Sequence, residues 1–264
     1  MAEVCVVHLV WAPLGPEPVE RFAASYRAHP PGLPHRLVVL LNGFDGASPD
    51  LRAFDGIAHE TVRVPEPTLD LPAYAYAARV LDASHLCFVN SHSEVLADGW
   101  LAALHGALEE PGVGLAGATG SYETPHSINP LRRRRWPRFP NPHIRTNGFI
   151  VARDLFRDLR WPDVKTKVRA WELESGHAGM TAQIRARGLK AVVVDRDGGV
   201  HEPEAWPFSA TFRAGEQAKL LIADNRTRDW QNADAATRAK LSKLAWGVNG
   251  AGAQALAARP RATG

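Results

Sequence analysis

The apolar positions of this 264-residue chain fall in short blocks separated by polar turns. Val4 to Val10 is an apolar run rich in β-branched residues, the pattern of a strand covered on both faces. Trp11-Ala12-Pro13-Leu14-Gly15 ends it. From Pro18 to Ala28, Val19, Phe22, Ala23 and Tyr26 recur at helical spacing. Arg36 to Leu41 predicts a second buried strand, closed by the turn cluster Asn42-Gly43-Phe44-Asp45-Gly46, and Thr61 to Val64 a shorter third. Asp70 is placed as the N-cap of a helix with Pro72 in its first turn, running to about Ala83. Leu86 to Val89 is the next strand, and Trp100 to Leu108 a helix. This alternation predicts an α/β fold with a mostly parallel sheet and helices on both faces.

The second half is less regular. Gly114 to Ala118 predicts a strand, and Ser121 to Pro142, rich in proline and arginine, a long loop. His143 to Ala152 alternates as a strand does. Trp171 to Gly188 contains a helix with Gly188 as its C-cap, and Ala191 to Val194 is a further strand. From Ser209 onward the pattern reads as helical, through Leu220 to Ile222 and again from Leu241 to Trp246, with the polar run Asp224 to Trp230 between two helices read as capping and helix packing, and a Gly-, Ala- and Arg-rich tail after Gly247. No repeat or linker divides the chain. The expected organisation is one catalytic domain over residues 1–205, with a helical extension, 206–264, packed on it.

The chemistry concentrates where the Leu86 strand stops abruptly in Asn90, Ser91, His92 and Ser93. In open α/β sheets, ligands sit just beyond the carboxyl ends of the strands. A polar cluster there is placed to hold phosphate, sugar or metal. Against this, Asn90 and Ser91 are good turn formers and need do no more than turn the chain.

Composition narrows the classes. With 45% hydrophobic and 22% charged residues the chain is that of a globular protein, and a net charge of +3 without zinc-finger or basic-zipper spacing does not indicate a nucleic-acid partner. No apolar stretch is long enough to span a bilayer, and the start of the chain carries Glu3 and no basic n-region, so a cytoplasmic protein is expected. Cys5 and Cys87 lie in apolar runs and are expected to be buried free thiols. The basic excess is partly local, in Arg132 to Arg135 beside Trp136. That run suits a phosphorylated or lipid-linked acceptor, or peripheral contact with an anionic membrane, and is equally the pattern of a solvated loop.

The order of these pieces over roughly residues 4–205 resembles the GT-A-fold glycosyltransferases, in particular the inverting group called family two, with a C-terminal extension typical of one bacterial branch. Four segments carry the likeness: Val10-Trp11-Ala12-Pro13 after the first strand, Leu41-Asn42-Gly43-Phe44 after the second, Phe88-Val89-Asn90-Ser91-His92-Ser93-Glu94 followed by Trp100-Leu101, and Val200-His201 after a late strand. The resemblance implies a Rossmann-like catalytic domain that moves a sugar from a nucleoside-diphosphate sugar to an acceptor hydroxyl, in glycan, polysaccharide or glycolipid biosynthesis. It implies donor contacts at Val10, Trp11, Ala12 and Asn42, with the diphosphate over Asn90 to Ser93. Asp70 is weighed as helix cap and donor contact.

The family's metal-binding aspartates are replaced here by Asn90 and His92. His92 and His201 are therefore candidates to share Mg²⁺ or Mn²⁺ with the diphosphate, or His92 to bind it with no metal. The family's catalytic aspartate falls, counting back from Gly188, on His177. Glu174, taken to open that helix, is preferred as general base, with His177 as substitute. Simple helix-start electrostatics would also explain Glu174. Arg145 and Asn147, which share a side in a strand, are candidate acceptor contacts with Arg134 and Trp136. Two other classes remain: a non-catalytic nucleotide-sugar binder of this fold, and a sugar nucleotidyltransferase, whose Arg-containing glycine loop Trp11 to Gly15 lacks.

Overall fold

The computed structural model describes residues 3–46, 49–125, 134–162, 164 and 166–247. Its centre is an eight-stranded sheet. β1 (Val4–Trp11), β2 (Arg36–Asn42), β3 (Glu60–Arg63) and β4 (His85–Val89) run parallel to one another, as do β6 (Val113–Gly117) and β10 (Lys190–Val194). β9 (Gly148–Ala152) is inserted antiparallel between β4 and β6, and β11 (Val200–His201) is antiparallel on the edge. The spatial order is β11-β10-β6-β9-β4-β1-β2-β3.

Both faces of the sheet are covered, as the continuous apolar runs require. Along β1, Cys5, Val7 and Leu9 enter one core with α2 (Asp70–Val80), α4 (Arg153–Arg157), α5 (Lys167–Ser175) and α6 (Met180–Arg185). Val4, Val6 and Val10 enter the other, with α1 (Glu17–Ala28) and α3 (Trp100–Leu108). The same alternation places Cys5 and Cys87 on opposite faces, so these buried free thiols cannot reach each other. Burial pushes the Cys5 thiol up to about 12, which keeps it protonated. No helix among the described residues is long and apolar enough to cross a membrane.

His8 is the exception in β1. It is fully buried, stacked on Phe22 with ring centroids 3.7 Å apart, and neither ring nitrogen has a partner. Burial lowers its pKa to about 3, so the folded protein holds it neutral while the unfolded chain takes up a proton below the ordinary 6.5. Its contribution is therefore intact above about pH 6.5 and is lost as pH falls from there toward 3, by up to a few kcal/mol. His8→Phe, which keeps the stack and removes the titration, is expected to flatten the acid limb of a Tm-against-pH curve. An unchanged limb would assign the acid sensitivity elsewhere.

The elements differ from the sequence expectation in five places. Leu69, not Asp70, is the N-cap of α2, and no side chain caps it. His143 to Ala152 is two strands: β8 (His143–Ile144), paired with β7 (Gly120–Ser121), and β9, separated by Arg145 to Asn147. The helix expected before Gly188 is two helices, α5 and α6, broken at Gly176. A Cβ at Gly176 would lie 2.5 Å from the Glu172 carbonyl oxygen and 2.9 Å from that of Arg135, so only glycine fits the break. Leu220 to Ile222 is not helical: Ile222 pairs with Val95, and the Leu221 carbonyl accepts from the Leu96 amide at 2.9 Å. Ile222 and Ala223 form β12, paired with β5 (Glu94–Val95). Finally, the polar run from Asp224 is itself a helix, α7 (Asn225–Asn232), opened by a capping box between Asp224 and Thr227 and followed by α8 (Ala235–Trp246).

Candidate active site

The carboxyl ends of β1, β2, β4, β6 and β10 lie along one edge of the sheet, and β12, α7 and α8 lie beyond it. Two cavities open there. One, of about 460 Å³, is lined by Glu123, His143, Arg145, Glu174 and Arg213, with Lys167 and Trp171 from α5 and Lys243 from α8. The other, of about 680 Å³, is lined by His92, Arg21 from α1 and Arg228 from α7. Arg226, Asp229 and Leu241 line both.

The polar cluster after β4 is held by its own hydrogen bonds. Asn90 Oδ1 accepts from the His92 amide at 2.9 Å and from Ser93 Oγ at 3.0 Å. Ser91 Oγ donates to the Leu9 carbonyl and accepts from the Trp11 amide, at 2.8 and 3.1 Å. Ser93 Oγ shares its one proton between Asn90 Oδ1 and the Asn147 carbonyl. Three of the four side chains thus lock β1, β4 and β9 together. The ring of His92 makes no hydrogen bond to another described residue and lines the second cavity. Arg228 fixes its backbone, donating to the His92 carbonyl at 3.1 Å and pairing with Glu94 at 3.0 Å. Burial, then the Arg228 charge, keeps the His92 ring below the usual histidine range, so it is a neutral donor-acceptor at pH 7.

The expected donor contacts at the first two strands change character. Val10 is buried in the sheet, while Trp11 and Ala12 remain half-buried. Trp11 packs on Gly43, where a Cβ would lie 2.7 Å from the ring and where φ of +79° favours glycine. Asn42 uses both ends of its amide on the backbone of Thr68, at 2.7 and 3.0 Å. It clamps the segment leading into α2 and so sets the position of Asp70. Asp70 faces Glu174 and Arg145, and burial, then the Glu174 charge, pushes its carboxyl up to about 6.

Glu174 is in the last turn of α5, not the first as expected from sequence, so the helix dipole does not favour its charge. Arg145 does, at 3.1 Å, with the two side chains 16% and 13% exposed. Both contacts of the carboxylate, from Arg145 and from the Thr146 amide at 3.4 Å, fall on Oε1. Oε2 has no hydrogen bond among the described residues. His177 is exposed in the turn after α5 and does not line the cavity. Asn147, outside any strand, turns away from Arg145, with its amide nitrogen 3.3 Å from the Ile222 carbonyl.

Of the Arg-rich run, Trp136 does not take the expected place. Trp136 is 1% exposed, donates to Ser175 Oγ at 3.2 Å and packs on Trp171. It anchors its segment on α5 and is unavailable to acceptor or membrane. Arg134 and Arg135 are exposed, and Arg132 and Arg133 lie outside the described residues. Glu123, His143, Arg213, Arg226 and Asp229 line the first cavity and were not singled out by sequence reasoning. Each sits in a stretch assigned to loop, strand, helix or capping, with no motif to mark it.

His201 does not join His92. β11 and β4 are four strand spacings apart, about 19 Å. His201 Nε2 instead bonds Asp195 at 2.8 Å, whose other oxygen accepts from the Asp197 and Gly199 amides. Among the described residues no three His, Cys, Asp or Glu side chains are grouped to hold a metal ion, and Asn90 Oδ1 is already doubly occupied. The donor set at this strand end does not fit a protein-held Mg²⁺ or Mn²⁺.

This sheet order, with helices on both faces, is the fold of the GT-A-type glycosyltransferases. A mannosyltransferase from Pyrobaculum calidifontis, solved in complex with GDP-Man and Mn²⁺, aligns over 96% of this chain and 73% of its own, with a TM-score of 0.51 and 15% identity. Glucosyl-3-phosphoglycerate synthase from Mycobacterium tuberculosis, solved with Mn²⁺, UDP and glucosyl-3-phosphoglycerate, aligns over 58% of each chain, with a TM-score of 0.41 and 17% identity. No protein-family model and no curated protein sequence matches the chain.

Proposed function

We propose that this protein transfers a sugar from a nucleoside-diphosphate sugar to an acceptor hydroxyl. The observation that carries the reading is the pair of cavities meeting at Arg226 and Asp229 on the carboxyl edge of the sheet, one beside His92 and one beside a half-anchored Glu174. A two-substrate transfer needs such an arrangement, with a proton acceptor on one side and hydrogen-bond donors for a departing diphosphate on the other.

In this reading the donor lies over the half-buried Trp11 and the β4 strand end, with its diphosphate toward His92. The acceptor enters the cavity beside Glu174. Glu174 Oε2 takes the proton from the acceptor hydroxyl, the oxygen attacks the anomeric carbon, and the bond from that carbon to the diphosphate oxygen breaks. The nucleoside diphosphate leaves, accepting a hydrogen bond from the neutral His92 ring, while Arg226, between the cavities, offsets its charge. Attack from the side opposite the leaving group gives inversion. The test is release of nucleoside diphosphate from a panel of nucleotide sugars, with and without hydroxyl acceptors. Sugar-dependent release supports transfer, and nucleotide binding without release would leave only a binder.

A further inference from the structure

The smaller cavity is balanced in charge and divided in chemistry. Its most buried lining holds two ion pairs, Arg145 with Glu174 and Arg213 with Glu123, their side chains between 13% and 19% exposed. Asp224 acts on both arginines and Asp70 on Arg145, so the buried guanidinium charges are all answered. Each glutamate gives Oε1 to its arginine. Neither Oε2 has a hydrogen bond among the described residues, and neither is sealed in as the Arg145 Nε is. The apolar part of the lining is Trp171 from α5, Ala214, and Leu241 and Leu244 from α8. Trp171 and Glu174 are three residues apart on α5 and so share a side of it. The half-buried Trp171 ring keeps its Nε1 accessible, with no hydrogen bond among the described residues. It is braced by Trp136: the ring centroids are 6.0 Å apart, and Trp136 Nε1 donates to Ser175 Oγ, which donates to the Trp171 carbonyl at 3.0 Å.

An indole presents an electron-rich face against which C–H groups pack, and a free carboxylate oxygen accepts a hydroxyl proton. A ligand that uses both is a ring with C–H bonds on one face and hydroxyls at its rim. The balanced charge gives an anion no advantage, and a volume near 460 Å³ suits a small molecule rather than a polymer segment. Resting on the reading of Glu174 above, we infer that the acceptor is an uncharged pyranoside whose C–H face stacks on Trp171, with one hydroxyl at Glu174 Oε2 and a second at Glu123 Oε2. Trp171 positions the ring, and the two carboxylates select among its hydroxyls. Trp136, expected from sequence to touch the acceptor, braces the residue that does.

Calorimetric titration of the full chain with the methyl pyranosides of glucose, mannose and galactose, in saturating nucleoside diphosphate to fill the donor side, tests it, with sorbitol and glycerol 3-phosphate for comparison. At least one glycoside is expected to bind saturably with one-to-one stoichiometry, and neither the open-chain polyol nor the anion. Trp171→Leu keeps an apolar contact with Trp136 but removes the aromatic face, and is expected to weaken that glycoside by roughly tenfold or more. Trp171→Phe restores a ring and is expected to recover most of the loss. Absence of glycoside binding in a protein that binds nucleoside diphosphate, preference for glycerol 3-phosphate, unchanged affinity in Trp171→Leu, or no recovery in Trp171→Phe overturns the inference and leaves the donor reading standing. Trp171-dependent glycoside binding in a protein that binds no nucleoside diphosphate would do the reverse.

Discussion

Glu174→Gln is expected to lower nucleoside-diphosphate release from the sugar donor by roughly a hundred- to ten-thousand-fold, the usual cost of losing a positioned general base. The change is close to isosteric. The glutamine amide would still present an oxygen to Arg145 and the Thr146 amide, so the anchoring side survives. What disappears is the second carboxylate oxygen, the one with no partner among the described residues. Nucleoside-diphosphate affinity should stay within about twofold, because Glu174 lines the smaller cavity and not the one around His92. Near-normal turnover would move the base to the neighbouring Asp70. Its pKa of about 6 would then show as a rate falling when pH drops through 6, since a base must be deprotonated to work.

Arg145→Met is expected to destabilise the fold by about 2–3 kcal/mol in urea or thermal unfolding, because it strands a largely buried carboxylate. Asp70 adds to the strain, since its charge and that of Glu174 already oppose each other. The wild-type pair itself contributes far less than this, because its mutual attraction is offset by desolvation. Removing the stranded group as well, in Arg145→Met with Glu174→Leu, is therefore expected to recover about half of the loss. A double variant no more stable than Arg145→Met alone would show that Arg145 acts through packing and not through Glu174.

The strands and the first helices were legible because their signal is local. β1, β2 and β4 are buried on both faces and read as unbroken apolar runs, and α1 and α3 carry one apolar stripe each. Leu220 to Ile222 misled because a short apolar run has no period of its own. Its non-helical course comes from pairing with Val95 across more than a hundred residues of sequence. The polar cluster at Asn90 was visible as a cluster, but its division of labour was not. That Ser91 ties β1 and Ser93 ties β9, leaving His92 to face the cavity, depends on which strands the fold places side by side. Glu174 was expected at the wrong end of its helix. Its helix begins four residues before Trp171 and ends at Ser175, and its charge is supported by Arg145 rather than by a helix start. The pairing of Glu123 with Arg213, ninety residues apart, left no trace in the sequence at all.

One binding measurement bears most directly on the donor site. Calorimetric titration of the wild-type chain with UDP, GDP, ADP and CDP, with and without added Mg²⁺ or Mn²⁺, is predicted to give saturable one-to-one binding of at least one nucleotide. His92→Ala is predicted to weaken it at least several-fold while the unfolding midpoint stays unchanged, because the ring supports no hydrogen bond among the described residues. No binding of any nucleoside diphosphate, or affinity indifferent to His92→Ala, would contradict the assignment of this strand end as the donor site.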